Sequence, residues 1–510
     1  MNRPVIPTTA SLGDSAKPFG QLLQRIDVVA IEGRLEALRD SLLAVAERED
    51  PDHVIESEKP VRSVRASIAL SLPDVSDGFE VTYARTQEEN ENRKSGFEEA
   101  LLPGTRGSSA NAVRNVRVCP GNRPARETSF CSSRADFDRV IDDLILSSTG
   151  RIALDIETHG PRKGDGLDPW RGDIRLLTLR RDAGPVWMLD LMALGYDLGA
   201  LGEILREATI VAHNAKFDAL WLRVKCGLRL PKVICTLTAA RLLAAGTKPG
   251  NNLDQCLQRH FGIAPGPDQS RSDWGAMFLT EDQLTYAARD VAHLHDLAGV
   301  LEAEIGKAGL ENVWALESDL LPRVVEMEAA GIRVDADKLR TIAAKANADA
   351  IQASAALREA LGKPSLNPAS QPQLLAALRA AGLELDSTAE AALKEADDGR
   401  IVPLVLAHRE AIKRAQQAES LLAHVQADGR IHARFEPTGT ATGRFSSKEP
   451  NLQNIGRGEL REAFVPEPGH KFVVADYSQV ELRAAAAIAG ETKMIEAYRA
   501  GADLHKLTAS

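Results

Sequence analysis

Between residues 135 and 306 the spacing of apolar positions changes period several times. The run ADFDRVIDDLILSS repeats its apolar residues three and four apart and predicts a helix, whereas RIALDIET alternates and predicts a strand. Two further apolar runs, DIRLLTLRR and GPVWMLDL, are separated by turn-forming residues, so three neighbouring strands are expected. Helix, strand and helix then follow through LGALGEILREAT, IVAHN and AKFDALWLRVKCG, and the pattern closes on one long helical segment, TEDQLTYAARDVAHLHDLAGVLEAEIG. That alternation predicts an α/β domain over residues 135–308.

Residues 309–427 are nearly all helical in pattern, rich in Ala, Leu, Glu, Lys and Arg, and broken by the loop GKPSLNPASQPQ. Over 428–510 strand character returns at ADGRIHARFEP, KFVVADYS reads as an apolar strand, and VELRAAAAIAGETKMIEAYRAG reads as helix. The first 134 residues form an extension with one helix over Phe19–Arg48, a short strand near Gly78–Tyr83, and a polar, flexible linker reaching about Ser133. No internal repeat is present.

Composition narrows the class more than the chemistry. The 510 residues are 44% hydrophobic and 26% charged, which excludes a wholly disordered or fibrous chain. No apolar run approaches the ~20 residues that cross a bilayer, and the N-terminus lacks the apolar core of a secretory signal, so no membrane role and a cytoplasmic location are expected. A net charge of −10 argues against a generic polyanion binder, but a local basic channel or cation-loaded carboxylates can still meet phosphate. Five scattered cysteines without a Cys-x-x-Cys pair indicate neither a disulfide framework nor a zinc site.

Strand alternation in RIALDIET puts Ile152, Leu154 and Ile156 on one face and Asp155 and Glu157 on the other, their Cα atoms about 7 Å apart. A pair like this on a solvated sheet face would mean nothing. Other acids stand at matching places. In VAHNAKFDALWL, Asn214 and Asp218 are four apart at the start of a helix, where Asn214 alone reads as a cap; in TYAARDVAHLHDL, Tyr286 and Asp290 are four apart, where Tyr286 alone reads as core. Four acids and a phenol suit a two-metal phosphodiester hydrolysis, with paired hard cations about 4 Å apart. In such a site Asp155 would bridge both ions, Glu157 and Asp290 would hold the ion on the nucleophile's side, Asp218 would reach the other through water, and Tyr286 would orient the attacking water.

LDIET, HNAKFD and YAARD, in this order and separation, resemble the three motifs of the DEDDy 3′-to-5′ exonucleases. The resemblance implies a ribonuclease-H-like fold, the roles just described, and two Mg²⁺ or Mn²⁺ ions. Farther along, LNPASQPQL resembles a thumb-domain signature, and DGRIHARFEPTGTATGRFSSKEPNLQNI, FVVADYSQVELR and DLHKLTA resemble the start of the palm in bacterial family A DNA polymerases. This implies an α/β exonuclease domain (135–308), a helical thumb (309–427) and an incomplete α+β palm (428–510), after a 1–134 extension. It also implies that Asp476 is a metal-binding catalytic acid, Glu481 crowds the sugar 2′ position, and His505 lies near the phosphates of an incoming deoxynucleotide. Asn214, Arg444, Asn451 and Gln453 are implied to contact DNA, as primer-template duplex or single-stranded 3′ end. A monomer is expected, and Lys413 and Arg414 offer positive charge to duplex phosphates.

The sequence departs from the family at GRGELREAF, which is shorter than usual and lacks a proline. It ends at Ser510, before the family's fingers helix and second palm acid, so a working exonuclease beside a polymerase part without activity is expected. The alternative is a nonenzymatic DNA-binding remnant of a polymerase. A stand-alone exonuclease is disfavoured by the palm-like segments.

Overall fold

The computed structural model describes residues 128–502, apart from 147–149, 183, 246, 248–249, 441, 457, 475 and 478. The helix expected over Phe19–Arg48 and the strand expected near Gly78–Tyr83 lie outside the described residues. Two units separate by contact, one reaching Val465 and the other starting at Pro466.

In the larger unit, a six-stranded mixed sheet runs β1-β4-β3-β2-β5-β6. Its strands are β1 (Thr128–Cys131), β2 (Arg151–His159), β3 (Asp173–Arg181), β4 (Val186–Asp190), β5 (Thr209–Ala212) and β6 (Val233–Cys235). The three apolar runs are neighbours, with β2 antiparallel to β3 and β3 antiparallel to β4. Strand β5 then pairs parallel to β2, and β6 parallel to β5. A central strand between helical layers must be apolar on both faces. In β2, Ile152, Leu154 and Ile156 pack with Ala219 and Trp221 of helix Ala215–Cys226, while Ala153 on the opposite face packs with Leu284, Ala287 and Val291 of helix Glu281–Ala292. The face carrying Asp155 and Glu157 is therefore covered by a helix, which excludes a solvated sheet face.

The expected linker overlaps β1, which completes an edge of the sheet by pairing parallel to β4. The long segment after Thr280 is two helices, Glu281–Ala292 and Leu294–Ala308, with His293 outside helical geometry between them. Buried Arg180 of β3 donates to the Ala292 carbonyl, a group that a continuous helix would use itself, and the His295 ring meets the Arg180 carbonyl.

Helix Glu311–Ala330 adds Leu321 and Val325 to the core beneath the sheet. Beyond it, the long helices Ala336–Ala360 and Ile401–Ala423 pack on each other, their ends closed by two apolar clusters. One cluster joins Leu339 and Leu421 to Ile431 and Ala433, and the other gathers Leu374, Leu378 and Leu393 around Val402. Short pairings, β7 (Ile332–Arg333) with β8 (Arg430–Ile431) and β9 (Arg434–Glu436) with β10 (Ser446–Lys448), follow from the strand character read near ADGRIHARFEP.

In the smaller unit, KFVVADYS forms no strand among its described residues; Val473 and Val474 are 39% and 61% exposed. Apolar alternation makes a strand only where another strand accepts its hydrogen bonds, and none among the described residues does. The helix expected after it is two, Val480–Ala489 and Thr492–Arg499, because Gly490 takes φ 64° and ends the first.

Candidate active site

Strand β2 delivers Asp155 and Glu157, and helix Glu281–Ala292 delivers Asp290, so that one carboxylate oxygen from each lies within 4.8 Å of the other two. The helix is set by a reciprocal cap in which the Thr280 hydroxyl accepts from the Gln283 amide and the Gln283 side chain accepts from the Thr280 amide. Tyr286 lies one turn before Asp290, its ring 6.4 Å from that of buried Trp274.

Asp218 comes from the opposite helical layer. It is buried, and its Oδ1 accepts the Ile156 N–H at 3.1 Å, which ties the first turn of helix Ala215–Cys226 to β2 between the two strand acids. Asn214, just before this helix, is exposed at φ 68° and makes no side-chain capping hydrogen bond. A non-glycine residue held there costs about 1–3 kcal/mol and is the kind of strain that collects at working sites. A simple capping role for Asn214 is excluded.

The electrostatics are those of acids forced together. Burial, then the charges of Asp218, Asp290 and Glu157, push Asp155 well above the usual carboxylate range. Burial, then Asp290 and Asp218, does the same to Glu157. Asp218 is raised by burial to about 7, although hydrogen bonds from its own and the Ile156 backbone N–H oppose the rise. Asp290 is also raised by burial to about 7, against the pull of the Tyr286 hydroxyl and Arg289. Burial and the neighbouring carboxylates raise Tyr286, so its phenol stays protonated at neutral pH. Four carboxyls that resist ionising together are a donor set for a hard, oxygen-seeking divalent cation, and the residues fit such an ion.

Two features beside this cluster escaped the sequence reading. The Arg175 guanidinium, 3.1 Å from Asp190 and buried, donates to the carbonyls of Trp274, Ala276 and Met277, while the Gln283 amide holds Ser272 and the Asp273 carbonyl. The loop is fixed, yet Met277 and Phe278 on it are 80% and 82% exposed. The signal was an apolar run, Met277 to Leu279, placed immediately before a helix cap. The second feature is Lys216, buried within the first turn that carries Asp218 and paired with Glu328 at 2.7 Å.

The pattern of 3′-5′ exonuclease matches residues 134–306, and that of DNA polymerase family A matches residues 336–510. The chain belongs to DNA polymerase family A. DNA polymerase I of Aquifex aeolicus (strain VF5) is 31% identical over 392 residues, 72% of this chain and 64% of that protein. DNA polymerase I of Mycobacterium tuberculosis (strain ATCC 25618 / H37Rv) is 36% identical over 236 residues, 42% of this chain and 26% of that protein. The chain thus spans less than two thirds of the length of these family A relatives. A solved structure, the POL domain of Pol1 from M. smegmatis in complex with DNA primer-template and dNTP, is similar with a TM-score of 0.58 and 26% identity, covering 74% of this chain and 65% of that one.

Within the family A segment, Arg444 is exposed on the turn between β9 and β10, where its carbonyl accepts from Thr440. The Asn451 side chain accepts from the backbone N–H groups of Gln453 and Asn454, and the Gln453 amide donates to the Phe445 carbonyl, so both shape the loop after β10. On the long helix Ile401–Ala423, Lys413 is exposed and Arg414 half-buried. In the smaller unit Asp476 is exposed and Glu481 sits in the first turn of helix Val480–Ala489. His505 lies outside the described residues. Among the described residues no helix is long and apolar enough to cross a membrane.

Proposed function

We propose that this chain shortens DNA from its 3′ ends by metal-dependent hydrolysis, and that its family A segment holds the primer-template that presents those ends. The observation that carries the reading is the meeting of half-buried Asp155 and Asp290 with buried Glu157 within 4.8 Å. Asp155, Glu157, Asp218 and Asp290 would hold two divalent cations, Mg²⁺ or Mn²⁺, which when bound supply Lewis-acid polarisation of the phosphodiester and neutralise the charge that builds on it.

The chain's own groups do the rest. The Tyr286 hydroxyl, kept protonated, orients water for attack on phosphorus; it does not serve as the base. Water oxygen bonds to phosphorus and gives up a proton as the bond to the 3′ oxygen of the preceding nucleotide breaks, and the freed 3′ oxygen takes up a proton in its place. The Asp218 link to Ile156 fixes the spacing of the two acid-bearing layers. Asn214, its amide not spent on capping, contacts the entering strand, and Met277 and Phe278 offer apolar surface on which its bases stack. In the family A segment Arg444, Asn451 and Gln453 contact primer-template, while Asp476, Glu481 and His505 serve metal and deoxynucleotide. We place the protein in the cytoplasm as a monomer.

The test is a 3′-mismatched, end-labelled primer-template with Mg²⁺, using the chain and its Asp155→Ala variant. Shortening by the chain and not by the variant is expected. Duplex binding without shortening by either would leave a nonenzymatic DNA-binding remnant as the reading.

A further inference from the structure

The charge of Lys216 is matched by a residue outside the exonuclease match. Glu328, 1% exposed near the end of helix Glu311–Ala330, accepts from Lys216 Nζ at 2.7 Å and from the Phe435 backbone N–H at 2.6 Å through the same oxygen, Oε1. Phe435 belongs to β9, the strand that leads into the turn bearing Arg444. Around this junction the His432 ring bonds the Glu328 carbonyl at 2.8 Å, bonds Asp428 at 3.0 Å, and stacks on Trp170 of the exonuclease domain with centroids 3.9 Å apart. Gly331 is required there, since a Cβ would lie 2.6 Å from the His432 ring nitrogen. Arg171 and Gln426 add hydrogen bonds across the same boundary, to the Ala423 carbonyl and to Asp168.

We infer that Lys216 and Glu328 are positioning residues for the exonuclease: their ion pair sets the first turn of helix Ala215–Cys226, and with it Asp218, from the family A side of the chain. This rests on the hydrolytic reading of the Asp155 centre. A buried pair with a backbone N–H on the same oxygen permits one arrangement of three elements, namely the Asp218 helix, helix Glu311–Ala330 and β9. Asp218 stands in the same turn as Lys216, and catalytic groups tolerate only about 0.5 Å of displacement. The exonuclease is therefore completed by a side chain, Glu328, that its own matched residues, 134–306, do not contain.

The experiment uses the full chain. Glu328→Gln alone strands a buried ammonium and can disturb folding, so the decisive variant is the double Lys216→Met/Glu328→Gln, which removes both charges and keeps both shapes and an acceptor for Phe435. Excision of a single-stranded, end-labelled oligonucleotide with Mg²⁺ is followed for kcat and KM, beside circular dichroism and thermal melting. A fall of about tenfold or more in kcat, KM unchanged within about twofold, and a native spectrum at the assay temperature would support the inference. A native double variant with unchanged kcat overturns it, as does a loss expressed in KM alone. A double variant that does not fold would show a brace for the fold and also overturn the positioning role. If the unaltered chain excises nothing, the hydrolytic reading fails first, which is a separate result.

Discussion

Two acidic places on this chain differ in their surroundings. Around Asp155, three further carboxyls from two helices and a strand converge between layers that cover both faces of a sheet. Asp476 stands exposed in a stretch with no strand pairing among the described residues, beside exposed Val474 and Tyr477. The sequence patterns are similar, since both acids follow alternating or continuous apolar runs. An apolar run ending in an acid builds a site only when neighbouring strands and a helical cover hold the backbone and exclude water from the carboxyl. Burial is also what raises these acids, and only a raised, crowded set gains much from a cation.

The contrast can be broken by substitution. Asp290→Asn should lower the rate of 3′ excision by about a thousandfold or more, as loss of a metal-holding charge does, while Asp476→Asn leaves excision unchanged. A gel assay on labelled primer decides it, and equal losses would erase the distinction. Packing should separate the regions next: Leu154→Ala under the sheet should cost about 2–5 kcal/mol in denaturant unfolding. Tyr286→Phe keeps the ring and removes the orienting hydroxyl, so kcat should fall about ten- to a hundredfold with KM little changed. Unchanged kcat would restrict Tyr286 to packing against Trp274.

The pH dependence follows from the raised acids. A carboxyl raised in the folded state binds protons there that the unfolded chain has released, so the cluster's contribution to stability falls as pH rises from about 4 towards 7. Cations compete with those protons. Since Asp218 and Asp290 are raised to about 7, moving from pH 8 to pH 6 should weaken Mn²⁺ binding about tenfold for each of them that must ionise. Calorimetric titration at the two pH values measures this. The smallest effect belongs to the exposed segment, where Val474→Ser should change stability by less than about 0.5 kcal/mol.

Much of the candidate site was legible because the acids that meet there sit in short local patterns: alternation in RIALDIET, and four-residue spacing in HNAKFD and YAARD. The order of β2, β3 and β4 was legible for the same reason. Strands β1 and β6 were not, since runs of four and three residues have no period and are strands only by pairing with β4 and β5. The break at His293 depends on Arg180, far away in sequence, taking the Ala292 carbonyl. Val473 and Val474 read as a strand because local pattern does not reveal whether a partner strand is present. Lys216 and Glu328 are 112 positions apart, so neither residue alone signals the pair.

The account stands on the Asp155 cluster being a cation-holding centre, and the most direct measurement is calorimetric titration of the metal-free chain with Mn²⁺ at pH 8, beside Asp155→Asn and Asp476→Asn. Binding that weakens at least about tenfold in Asp155→Asn and persists in Asp476→Asn is the predicted result. Mn²⁺ binding by Asp155→Asn as tight as in the unaltered chain would contradict it.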